Sequence, residues 1–111
     1  MSAVCAIDLG AREAILRELR AFAARLRAEL PVRAVYLFGS FARGREHEGS
    51  DIDLLLVAEF SGRSLDFIGE ITARTDLPIE PLVVRPETLA RRLREGHPLF
   101  SRIMADAVQL A

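Results

Sequence analysis

Val35-Tyr36-Leu37-Phe38-Gly39-Ser40-Phe41-Ala42-Arg43-Gly44 and, after a polar loop, Ser50-Asp51-Ile52-Asp53-Leu54-Leu55-Leu56 decide how this chain folds. An apolar strand over residues 32–38 runs into Gly39-Ser40, where a tight turn opens a short helix. The free N–H groups at such a helix start can hold a phosphate. Taken alone, Gly39-Ser40 reads at least as readily as an ordinary turn. The aspartates beyond the loop shift that balance. Strand side chains alternate, so Asp51 and Asp53 project from one face at the start of a second strand, residues 51–57. Two like charges held that close repel. A divalent cation is the usual way to stabilise such a pair, and all-oxygen ligands suit Mg²⁺, with Mn²⁺ a second choice. Reading the pair instead as turn and cap acids after Gly49-Ser50 leaves two unpaired carboxylates at a buried strand start, which is costly.

Upstream, Ile15, Leu19, Phe22, Leu26 and Leu30 recur at spacings of three and four, which predicts a helix over 11–30 with an arginine-rich solvent face. Asp8 is a candidate cap for it, and Pro31 ends it. Downstream, strand 51–57 is almost wholly apolar past its first turn, as expected of burial on both faces. A helix follows over 62–75, with Ser64 as candidate cap and Leu65, Ile68 and Ile71 or Thr72 turned inward. A third strand then covers 79–84. Strand, helix and strand in succession make a crossover unit, so strands two and three run parallel with their starting ends together, and Glu80 can reach Asp51 and Asp53. Pro81 lacks an N–H, which places this strand at the sheet edge. Pro86 opens a helix with Leu89, Ala90 and Leu93 inward, and Gly96-His97-Pro98 closes it. A second helical stretch covers 99–110, and its last residues from Val108 can run extended. There Leu99, Phe100, Ile103, Met104 and Val108 cover more than one face, which leaves room for a second copy of the chain. The expected fold is α+β: a single domain over 1–111 with a mixed three-stranded sheet, strands one and two antiparallel, packed with helices.

The chain has 111 residues, half of them hydrophobic, with formal net charge −1. That length suits one domain. The charge argues against general nucleic-acid binding by counterion release. All 15 positive side chains are arginine, so a lysine-based phosphate loop is excluded, and phosphate contacts fall to Arg or neutral donors. Arg43 and Arg45 are candidates for such contacts, against the plainer reading of solvated loop arginines. A single cysteine, Cys5, excludes an internal disulfide. With no apolar run of spanning length and no basic-then-apolar leader, the expectation is a cytoplasmic protein without membrane contact. His47 and His97 read as surface residues.

Gly39-Ser40, Ala42-Arg43-Gly44 and Ser50-Asp51-Ile52-Asp53 together resemble the signature of the DNA polymerase beta-like nucleotidyltransferase superfamily. The similarity is greatest to its small single-domain, antitoxin-type members, over about residues 32–86. The resemblance implies a metal-dependent enzyme that moves a nucleoside monophosphate, AMP from ATP above all, onto a hydroxyl. It implies Asp51 and Asp53 as catalytic metal ligands, Glu80 as the third carboxylate, and Gly39, Ser40 and Arg43 as contacts to the nucleotide. It also implies a small helical partner with a HEPN-type fold, in some relatives an antitoxin's target modified on a tyrosine. Glu80 is the sole carboxylate on its strand, and an edge-strand glutamate is often merely solvated. A chain in which Glu80 points away would be an inactive binding or antitoxin subunit of the same fold.

Overall fold

The computed structural model describes residues 9–44 and 51–111. Asp8, Cys5, Arg45 and His47 lie outside the described residues. The elements in order are α1 (Leu9–Glu29), β1 (Val32–Phe38), α2 (Gly39–Ala42), β2 (Ile52–Ala58), α3 (Ser64–Thr72), β3 (Ile79–Val84), α4 (Pro86–Arg94), α5 (Pro98–Asp106) and β4 (Val108–Gln109). The sheet order is β3-β2-β1-β4. β1 and β2 are antiparallel and β2 and β3 parallel, as the crossover rule requires. Pro81 does lie on an edge strand.

The sheet has four strands where the sequence suggested three. β4 pairs antiparallel with β1 through Tyr36–Gln109 and Leu37–Val108, and Leu110 N–H donates to the Val35 carbonyl at 2.8 Å. Two paired residues carry no readable alternation. What fixes them is the side chain that follows, Leu110, which is buried.

β2 is covered on both faces, and its alternation sorts the core into two parts. Ile52, Leu54, Leu56 and Ala58 pack with Leu19, Phe22 and Leu26 of α1 and Phe67 and Ile71 of α3. Leu55 and Val57 face the other way, onto Leu89 of α4 and Phe100 and Ile103 of α5. The α1 stripe read from spacing is thus the face that meets the sheet.

Three helix details differ from the sequence reading. Arg63 is the N-cap of α3 and Ser64 its first residue, and Arg63 makes no side-chain capping bond. Ile71 is buried as expected and Ile68 half-buried, but Phe67 takes the inward place expected of Leu65, which is 73% exposed. In α4 only Leu89 is buried; Ala90 and Leu93 reach solvent. His97, expected at the surface, is half-buried against the Phe100 ring, and its Nδ1 has no hydrogen-bond partner.

Candidate active site

The β1–α2 junction is built around Gly39, whose φ of +76° is a conformation that L side chains rarely adopt. A Cβ there would also collide with the Asp53 carboxylate. Glycine at 39 therefore serves two ends: it lets the chain turn from strand to helix, and it lets Asp53 lie flat against the backbone. α2 is one turn long, and its first N–H groups have no carbonyl within the helix to bond. The turn is held from outside. Arg12 on α1 donates to the Phe41 carbonyl at 2.9 Å, its guanidinium lies 5.2 Å from the centre of the Phe41 ring, and Phe41 is buried.

Register brings the carboxylates together. Phe38 stands opposite Asp53 across the β1–β2 ladder, and Asp53 opposite Glu80 across the β2–β3 ladder. Residues so paired project from one face. That face is the one covered by α4 and α5, since Leu55 and Val57 follow Asp53 on it. Asp51, Asp53 and Glu80 thus lie at one end of the sheet, beside the Gly39 turn.

The electrostatics are those of crowded anions. Burial, and then the charge of Asp51, push the Asp53 carboxyl above its ordinary value, while Arg43 draws it partly back. The Glu80 carboxyl is raised chiefly by a hydrogen bond with the Asp51 side chain and then by the charges of Asp51 and Asp53. Among the described residues, no group of three His, Cys, Asp or Glu side chains is arranged to hold a metal ion. In this arrangement the Glu80 side chain is engaged with that of Asp51. The donor set nonetheless fits a hard divalent cation: oxygen ligands only, with mutual repulsion that a cation would relieve.

Arg43 caps the C-terminus of α2 and reaches α5, its Nη1 standing 3.9 Å from Asp106 Oδ2. Between these elements lies a pocket of about 190 Å³ lined by Phe38, Gly39, Arg43, Leu99, Arg102, Ile103 and Asp106. Leu99, Arg102 and Asp106 were not singled out as site residues by their sequence. Their spacing of three and four marks one stripe of α5, but its proximity to Gly39 is a tertiary fact.

A model of the nucleotidyltransferase domain family matches residues 17–106. An inferred protein adenylyltransferase of Methanocaldococcus jannaschii is 34% identical over 79 residues, which cover 64% of this chain and 52% of that protein. The chain thus spans about half the length of this curated relative. Among solved structures, an inferred nucleotidyltransferase from Sulfolobus solfataricus superposes with a TM-score of 0.65 at 20% identity, over 91% of this chain and 83% of its own. A toxin–antitoxin structure with AMP-PNP superposes with a TM-score of 0.55 at 19% identity, over 86% of this chain and 72% of its own.

Proposed function

This chain belongs to the nucleotidyltransferase domain family, and from that premise we propose that it transfers AMP from ATP to a hydroxyl group supplied by another molecule. The observation that carries the reading is the placement of Asp53 between the Gly39 turn and Glu80. Backbone N–H groups left unbonded at the start of α2 and a crowded set of carboxylates meet there at one sheet end.

In the transfer, the acceptor oxygen forms a bond to the α-phosphorus, the bond from that phosphorus to the bridging oxygen breaks, and pyrophosphate leaves. The N–H groups that open α2 and the Ser40 hydroxyl bind phosphate oxygens. Arg43 adds a charge-assisted contact. Asp51 and Asp53 would hold Mg²⁺, or Mn²⁺, which when bound neutralises charge on the phosphoryl oxygens. Glu80, released from Asp51, would complete the ligand set and accept the proton of the acceptor hydroxyl. The choice of AMP rests on the adenylyltransferase name of the archaeal relative and on AMP-PNP in the toxin–antitoxin neighbour. That neighbour also supports a protein acceptor, a helical HEPN-type toxin with a tyrosine hydroxyl being the candidate.

The test is transfer of label from [α-³²P]ATP, but not from [γ-³²P]ATP, to such a partner in the presence of Mg²⁺. Asp51→Asn and Asp53→Asn are each expected to lower the rate by at least about a hundredfold while keeping the native circular dichroism spectrum. Transfer by either variant at the wild-type rate would sink the assigned roles. The hydrogen bond between Glu80 and Asp51 favours a second reading, a nucleotide-binding subunit without turnover. Glu80→Gln separates the two. Loss of transfer with ATP binding retained supports the enzyme, whereas a wild-type protein that binds ATP and labels no acceptor supports the subunit.

A further inference from the structure

The pocket between α2 and α5 contains a cation that the reading above does not use. Arg102 closes no hydrogen bond or ion pair among the described residues, yet it lines the same cavity as Gly39 and Arg43. Arg43, approaching from the opposite wall, has a loose partner of its own, Asp106 at 3.9 Å, with both side chains about half exposed. Two guanidiniums therefore line one cavity at the Gly39 turn, whose lining holds a single carboxylate, Asp106, while Arg43 also acts on the Asp53 carboxyl nearby. The remaining walls are apolar: Phe38, Leu99 and Ile103. The planar fork of arginine matches phosphate oxygens two at a time.

We propose that Arg102 is a further phosphate-binding residue, reaching from α5 the β- and γ-phosphates that the Gly39 turn and Arg43 hold, and the pyrophosphate they become, with Asp106 as the counter-ion that Arg43 leaves when phosphate arrives. The proposal rests on the nucleotidyl-transfer reading for the identity of its ligand. Asp106 keeps Arg43 near the pocket in the absence of nucleotide. Arg102 on α5 and Arg43 on α2 then close on the polyphosphate from two elements.

The experiment is calorimetric titration of ATP, AMP and inorganic pyrophosphate, each with Mg²⁺, into the wild-type protein and into Arg102→Gln, Asp106→Asn and the off-pocket control Arg94→Gln. Arg102→Gln is expected to weaken ATP and pyrophosphate about tenfold and leave AMP unchanged, as loss of one charge-assisted contact implies. Asp106→Asn is expected to tighten both by about threefold, the scale of a half-exposed ion pair removed from competition. Arg94→Gln is expected to match the wild type. Wild-type affinity for ATP and pyrophosphate in Arg102→Gln would overturn the role of Arg102 and leave the nucleotidyl-transfer reading standing. Weaker pyrophosphate binding in Asp106→Asn would overturn the counter-ion role. A wild-type protein that binds neither ATP nor pyrophosphate would remove both the proposal and the reading beneath it.

Discussion

At the scale of the residue, Gly39 and Asp53 form one unit. Gly39→Ala forces a side chain into a left-handed conformation, a cost of about 1–2 kcal/mol, and drives its Cβ against the Asp53 carboxylate. Stability measured by urea unfolding is expected to fall by about that amount, while transfer falls much further, because the displaced group is the proposed ligand. Asp53 also sets a pH dependence. Its carboxyl is raised from 3.8 by burial first and Asp51 second. The folded state therefore binds this proton more tightly than the unfolded chain, and the stability so gained is complete below 3.8 and lost as pH rises through the folded value. In EDTA, thermal unfolding is expected to show that loss on going from acidic to neutral pH. Asp53→Asn flattens it, and Mg²⁺ restores stability near neutrality in the wild type only. The nearness of Asp53 to Glu80 was readable in advance, because strand periodicity and the crossover rule both act locally. That Glu80 leans on Asp51 was not readable, since it depends on side-chain placement. Arg102 was equally hidden, because nothing in its neighbours says which loop α5 will cover.

At the scale of the element, the short helix α2 depends on α1. Arg12 supplies both a hydrogen bond to the Phe41 carbonyl and a contact with its ring. Arg12→Ala is expected to cost about 1–2 kcal/mol in urea unfolding and to weaken ATP binding by loosening the turn. β4 is the counterpart at the other edge of β1. Leu110→Ala is expected to destabilise the fold by about 2 kcal/mol, the low end for a buried leucine, because the site lies near the surface. The contrast between these elements explains what the chain made legible. α1 announced itself through five apolar positions on one face, and β2 through an uninterrupted apolar run. β4 is two residues long; its extended backbone from Val108 was readable, but its pairing with β1 depends on the burial of Leu110 in the core. The α3 cap was misplaced by one residue because Ser64 satisfies the compositional preference for a cap while the backbone places Arg63 there.

At the scale of the whole molecule, the sheet separates support from chemistry. One face, with α1 and α3, is a continuous apolar core; the other carries the carboxylates at one end and α4 and α5 over the rest. Substitutions in the first are expected to change stability without changing nucleotide affinity. Leu56→Ala, fully buried on the α1 side, should cost about 3 kcal/mol and leave the dissociation constant for ATP unaltered in protein that remains folded. A shifted constant would show that the two faces are coupled. Pro81 has a consequence for whatever approaches that second face. It follows Glu80 on the outermost strand and has no N–H to offer. An incoming polypeptide seeking to extend the sheet there meets a gap in the row of donors beside the carboxylates. The proposed acceptor protein would thereby be steered away from zippering its backbone onto this rim, and would reach the site by presenting a single side chain end-on, as a key's tip enters a lock whose frame cannot be gripped.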